Sequence, residues 1–339
     1  MDRYDRQARV KQIGAAGQAK ISASTILIVG CGALGSYAAE QLVRAGVKQL
    51  YLVDPDTVSE TNLQRQTLFT EIDAAQANFK VEAAARVLRQ INHEVAVTTF
   101  PVGLRPELLA QMDKLTLALD CTDNFSVRDT LNRLALNQHF PYIFAGCAGV
   151  SGNLMFIDPS HGPCLNCAFP NLAQLKERDC DVLGVATPLI PLVSAQQIAL
   201  ALRYIVEGHV ANNQLMTISC WPASQHQFQI KKQSTCPICS QEKVAVPVTD
   251  RTLLRTMCGS QAYSVYLPTT VPLAAISNLL KKEHVTFQAA KAFINFQWHG
   301  ATVSYFKTGK LHLYDLANKN AAELVYRDLW HLFKGAIQL

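Results

Sequence analysis

Thr25-Ile26-Leu27-Ile28-Val29-Gly30-Cys31-Gly32-Ala33-Leu34-Gly35 decides the architecture. An unbroken apolar and β-branched run, the pattern of a fully buried strand, enters three glycines spaced Gly30-x-Gly32-x-x-Gly35. From Ala33 to Ala45 the sequence then has helical periodicity and stops at Gly46, a helix C-terminal signal. A tight glycine turn between strand and helix aims backbone N–H groups and the helix dipole at an anion. Outward from this point, residues 49–53 read as the next strand, ending at Asp54, and Phe79 to Ile91 as an amphipathic helix. Thr116 to Leu119 reads as a short strand ending at Asp120, Val127 to Gln138 as a helix and Tyr142 to Ala145 as a further strand.

Such alternation predicts an α/β fold, a Rossmann-like doubly wound sheet. After Gly152 the rhythm changes, and Asn153 to Ile157, Met216 to Trp221 and Gln225 to Lys231 read as strands that make the sheet mixed. A chain of 339 residues suggests two domains at about 150 residues each. The boundaries read as 1–240 for the first domain, 241–249 for a linker and 250–339 for a small C-terminal α/β domain.

Two Cys-x-x-Cys pairs, Cys164/Cys167 and Cys236/Cys239, lie in turn-forming sequence, with Gly162-Pro163 before the first and Pro237 inside the second. Two such knuckles can offer four thiolates to one tetrahedral Zn²⁺. That shell leaves no open position for a substrate, so the metal is expected to be a structural clip. The bland alternative is a redox pair, or two unrelated pairs. Ten cysteines in a chain of this length are not a disulfide scaffold, and a reduced, cytoplasmic compartment is expected. The opening Met1-Asp2-Arg3-Tyr4-Asp5-Arg6 has no apolar core of a signal peptide. The apolar stretch from Val182 to Val206 is broken by Pro188, Pro191, Gln196, Gln197 and Arg203, which reads as a buried loop and helix and not as a membrane span. A scattered net charge of +5 suits anionic ligands but argues for no nucleic-acid partner.

The glycine turn taken alone would mean NAD or FAD, with Asp54 gripping ribose hydroxyls. The residues that follow overturn that default. Asn62-Leu63-Gln64-Arg65-Gln66 supplies amides and a guanidinium, Lys80 opens a helix, and Asp120-Cys121-Thr122-Asp123-Asn124 ends a strand. Phosphoryl or nucleotidyl transfer needs such a set: cations neutralise charge growing on phosphate oxygens while a carboxylate holds Mg²⁺. Otherwise Arg65 and Lys80 would simply be solvated surface cations.

With these segments in order, together with Arg3-Tyr4-Asp5-Arg6-Gln7, Asp54-x-Asp56 and both cysteine knuckles, residues 1–240 resemble the ThiF/MoeB/HesA family, bacterial relatives of the ubiquitin-activating enzymes. The resemblance implies that 1–240 is an adenylation domain. Its reaction would be ATP-dependent adenylation of the C-terminal glycine of a small β-grasp sulfur-carrier protein, ThiS-like or MoaD-like. It implies a nucleotide site built from Gly30, Gly32, Ala33, Gly35, Asp54, Asp56, Asn62, Gln64, Arg65, Lys80, Asp123 and Asn124, with Asp123 holding Mg²⁺. It implies a homodimer in which Arg6 reaches the neighbouring subunit's site. Cys180, in Asp179-Cys180-Asp181, would lie in a loop over the adenylate, either as a nucleophile toward it or as an ordinary loop cysteine.

Residues 250–339 resemble the C-terminal domain of the longer, Bacillus-type ThiF proteins, and read as an ααβ-type module. It has an apolar segment Tyr263 to Leu267, a helix at Leu273 to Lys282, paired strands around 293–298 and 302–306, a turn at Thr308-Gly309-Lys310 leading to a strand that ends at Tyr314, and a last helix at Ala321 to Phe333. Cys258 is expected to be structural. From other classes, an NAD-dependent oxidoreductase or a non-catalytic scaffold could share the fold; Arg65, Lys80 and Asp123 argue against the first, and the same three with Arg6 against the second.

Overall fold

Every side chain of the strand at the glycine turn is buried, and alternate residues serve opposite layers. In this β1 (Thr25–Val29), Ile26 and Ile28 join a core with α3 (Ala33–Ala45), while Leu27 and Val29 face the opposite layer. The period of two along a strand dictates this division. Full burial of each such side chain stabilises by about 1.5–3 kcal/mol. The computed structural model describes residues 3–177, 184–241, 244–246, 254–257 and 262–335. Cys180 and Cys258 lie outside them.

The chain divides into two units, Met1–Val248 and Thr249–Leu339. The first opens with α1 (Asp5–Ala8) and α2 (Gly14–Ile21), and continues after α3 with β2 (Gln49–Val53), α4 (Glu71–Ala75), α5 (Lys80–Ile91), β3 (Ala96–Phe100) and α6 (Pro106–Leu109). Then come β4 (Leu117–Asp120), α7 (Phe125–Gln138), β5 (Tyr142–Ala148), β6 (Ser151–Ile157), α8 (Leu165–Ala168), α9 (Leu172–Glu177), α10 (Leu189–Glu207), β7 (Gln214–Cys220) and β8 (Ala223–Gln229). The sheet order is β3-β2-β1-β4-β5-β6-β7-β8. Strands β1 to β5 pair in parallel and β6 to β8 continue antiparallel, which is the mixed sheet expected.

From β1 the chain runs outward to β2 and β3, then crosses to β4 and β5 on the other side. The loops after β1 and β4 therefore flank a topological switch point, where open α/β sheets bind ligands. Sequence patterning missed β3, whose Thr98 and Thr99 supply no apolar run and of which Val97 alone is buried. Helix α10 is long and apolar enough to cross a membrane. It is a core helix nonetheless: Ile190, Val193, Ile198, Ala201 and Ile205 are buried, Gln41 of α3 donates to Ser194, and Tyr204 packs on Phe156.

The second unit is built on one six-stranded antiparallel sheet, ordered β11-β12-β13-β14-β10-β9. Its elements are β9 (Arg255–Met257), β10 (Ala262–Tyr266), α11 (Leu273–Lys282), β11 (Phe287–Ala289), β12 (Phe293–Trp298), β13 (Ala301–Phe306), β14 (Lys310–Tyr314) and α12 (Lys319–Lys334). Ile294, Phe296, Val303, Tyr305, Leu311 and Leu313 form a core with Ile276 and Leu280 of α11 and Leu329 and Phe333 of α12. An ααβ-type module understated this unit. Its short edge strands, β9 and β11, carry no alternation long enough to read.

Candidate active site

Glycine is required at two points of the loop after β1. Gly30 has φ +88°, and a Cβ there would lie 2.7 Å from the Cys121 carbonyl oxygen of the neighbouring β4 loop. At Gly35 a Cβ would collide with the Gly30 carbonyl. Gly32 caps α3 with no side-chain hydrogen bond, so the N–H groups of the first turn, Ala33 onward, face outward for an anion.

Asp54, at the end of β2, is buried and fixes this loop: one oxygen accepts the Cys31 N–H at 2.7 Å, the other the Asp56 N–H at 2.8 Å. Burial pushes its carboxyl up to about 6, Lys80 pulls it down and Asp56 adds to the rise. A carboxylate offers about four lone-pair directions, so two N–H bonds leave capacity for ribose hydroxyls. Lys80, the first residue of α5, is buried and reaches Asp56 at 3.3 Å. Burial works against its charge, but Asp56, Asp54 and Asp123 outweigh it and hold the ammonium protonated. The structure thus brings Asp54, Asp56, Lys80 and Asp123 into one electrostatic group beside the glycine turn. Burial drives the thiols of Cys31 and Cys121 upward, so neither is a nucleophile at neutral pH.

The other expected residues are placed less directly. Asn62 closes a capping box, its Oδ1 accepting the Ser59 N–H, and Gln64 accepts a hydrogen bond from Thr187 at 2.8 Å. Arg65 is half-buried and donates to the Thr61 carbonyl. Asp123 is exposed, and Asn124 caps α7 through the Val127 N–H. Arg6 is exposed on α1, which is tied to the C-terminal end of α3: Gln7 donates to the Ala45 carbonyl, and the Tyr4 ring covers Gly46. The glycine turn lies at the opposite end of that helix, about 20 Å away at 1.5 Å per residue.

Sequence reading quoted Gln66 in its motif but assigned no role to it, to Gln197 or to Arg128, all three of them buried here. Gln66 is buried against Gly32. Gln197 donates to the carbonyls of Asp120 and Ile143, and Arg128 to that of Thr122. For Gln197 the one signal available was a polar residue on the buried face of the apolar helix α10, and Arg128 on α7 carried none.

The four cysteines of the two knuckles meet at α8 and the loop after β8. Their Sγ atoms all lie within 4.8 Å of one another, with Cys164–Cys236 at 3.8 Å, Cys167–Cys239 at 3.6 Å and Cys164–Cys167 at 4.0 Å. Zn–S bonds of 2.3 Å in a tetrahedron demand S–S edges of about 3.8 Å. The cluster therefore fits zinc. Val244, Ile238 and Leu136 enclose it in apolar surroundings. His161 stays outside, in a loop beside Asp158.

Residues 4–238 match the ThiF family. Over 330 residues the chain is 28% identical to the sulfur carrier protein ThiS adenylyltransferase of Bacillus subtilis, covering 96% of this chain and 98% of that protein. It is 32% identical to the ThiS adenylyltransferase of Escherichia coli over 70% of this chain and 94% of that protein. The molybdopterin-synthase adenylyltransferase of Escherichia coli is also 32% identical, over 71% and 97%. Among solved structures, Escherichia coli MccB with ATP shares the fold at a TM-score of 0.61 and 22% identity, over 70% of this chain and 74% of that one. The glycine turn, the charged group beside it and the cysteine cluster are thus those of a chain that belongs to the ThiF family.

Proposed function

We propose that the protein is an adenylyltransferase that uses ATP to activate the C-terminal glycine of a small β-grasp sulfur-carrier protein. The observation that carries this reading is the convergence of Asp54, Asp56, Lys80 and Asp123 on the glycine turn at the switch point. A carrier carboxylate has a pKa of about 3.5 and is already ionised at neutral pH. Its oxygen attacks the α-phosphorus, the bond to the β-phosphate breaks, and pyrophosphate leaves. The step requires alignment and charge stabilisation and no general base.

In this scheme the N–H groups of Gly32 to Gly35 hold phosphate and Asp54 accepts from the ribose. Asn62, Gln64, Arg65, Lys80 and Asn124 line the phosphate side. Asp123 would hold Mg²⁺, which when bound neutralises charge on the phosphates. Arg6 sits too far along α3 to serve its own site, which supports a homodimer in which it serves the partner's.

A ThiS-type carrier is the preferred partner. The match to the Bacillus subtilis relative runs through the second unit, whereas the Escherichia coli relatives match about the length of the first. A MoaD-type carrier is the second reading, favoured by the equal identity to the molybdopterin-synthase adenylyltransferase. Pyrophosphate exchange measured with each carrier in turn tests both; exchange with neither would refute the proposal.

A further inference from the structure

The loop that carries Asp123 is held by a charge the proposed reaction does not use. Arg128, on the first turns of α7, is buried, and its Nη2 donates to the Thr122 carbonyl at 2.7 Å. Its guanidinium is clamped between the rings of Phe125 and Phe144, 4.7 and 5.0 Å from their centroids. Gly146 on β5 leaves room for it: a Cβ there would lie 2.9 Å from Nη2. Asp120, fully buried at the end of β4, faces it at 4.0 Å and turns its other oxygen to Thr122. Gln197 of α10 grips the Asp120 carbonyl from the opposite layer. The backbone that leads to Asp123 is thus fixed by a buried ion pair, an aromatic clamp and an amide.

We infer that Arg128 is a positioning residue: through the Thr122 carbonyl and Asp120 it sets where Asp123 presents its carboxylate. This rests on the role proposed for Asp123. A buried cation held by two aromatic faces moves little, and neither a Lys nor a neutral side chain reproduces a planar fork that reaches a carbonyl and faces a carboxylate together. Arg128 touches no nucleotide in this scheme and acts through the loop alone.

Arg128→Lys keeps the charge that Asp120 faces and loses the fork. Gly146→Ala keeps the arginine and presses it out of place. Both variants should raise the Mg²⁺ concentration for half-maximal pyrophosphate exchange several-fold and lower kcat about tenfold, with the KM for the carrier unchanged. Combined with Asp123→Ala, Arg128→Lys should add nothing further, because groups that act as a unit are not additive. The same Mg²⁺ shift should appear in ATP binding followed by calorimetry without any carrier. Wild-type Mg²⁺ dependence in folded variants, or full additivity with Asp123→Ala, would overturn the positioning role. Wild-type protein that binds Mg²⁺·ATP yet exchanges pyrophosphate with no carrier would overturn the functional reading alone.

Discussion

The cysteine cluster and the nucleotide site are built in opposite ways. The cluster draws four identical ligands from two short knuckles and closes on itself; its geometry was written in the spacing of Cys164/Cys167 and Cys236/Cys239. The proposed nucleotide site draws single residues from the ends of β1, β2 and β4 and from the start of α5, and stays open at Asp123. One is a closed shell whose loss should be felt by the fold. The other is a charged surface whose loss should be felt by the rate.

The comparison breaks first on metal removal. Zinc bound by four thiolates contributes directly to folding, on the order of 10 kcal/mol in small zinc domains. Chelation, or Cys236→Ser, should therefore lower the unfolding temperature sharply and destabilise the first unit, and metal analysis should find one zinc per chain. Folded, active protein with substoichiometric zinc would show that the cluster is no clip.

Next in size are the site's own charges. Arg65→Ala, Lys80→Ala and Asp123→Ala should each lower exchange by about 10²–10³ while the unfolding temperature changes little for the half-buried Arg65 and the exposed Asp123. Lys80 is the exception that sharpens the contrast. It is buried among Asp54, Asp56 and Asp123, so its removal should cost stability as well as rate.

A smaller effect tests assembly. Arg6→Ala and Arg65→Ala subunits, each inactive alone, should together recover about a quarter of wild-type exchange when mixed equally, because one site in each mixed dimer has both arginines. No recovery after demonstrated subunit exchange would remove Arg6 from the neighbour's site.

The smallest effect concerns pH. With its carboxyl pushed up to about 6, Asp54 is about nine-tenths ionised at pH 7 and about one-tenth at pH 5. Ribose hydroxyls donate to the ionised form, so ATP affinity should fall by up to about tenfold over that range, beyond the fall seen in Asp54→Asn under the same titration. The stability linkage runs the other way. The folded value lies above the unfolded one of about 3.9, so the stability contributed by protonated Asp54 is full below pH 4 and is lost as pH rises through 6. A thermal melt at pH 4.5 and 7 on wild type and Asp54→Asn reads the difference.

Much of this is legible in the sequence, for physical reasons. Val29 to Gly35 announces a strand, a turn and a helix because glycine alone tolerates φ +88° and the close approach of Cys121. The helix from Leu273 to Lys282 carried a clear periodicity and was found at those bounds. What stayed hidden depends on distant partners. β3 is a strand because it pairs with β2 along five residues, not because Ala96-Val97-Thr98-Thr99-Phe100 demands it. Arg128 is a buried anchor because Phe144 and Gly146 arrive from β5 to complete what Phe125 begins on α7, and the sequence of α7 alone does not show them. Asn62 and Asn124 read as ligand residues in their motifs; the motifs do not show the local bonds in which their side-chain oxygens accept the Ser59 and Val127 N–H groups.

Exchange of labelled pyrophosphate into ATP, with a purified β-grasp carrier that ends in a free glycine carboxylate, tests the central claim most directly. The account predicts exchange that depends on the carrier, on Mg²⁺ and on Asp123, and that vanishes when the carrier's terminus is amidated. Binding of a nicotinamide dinucleotide in place of ATP, with no carrier-dependent exchange, would contradict it.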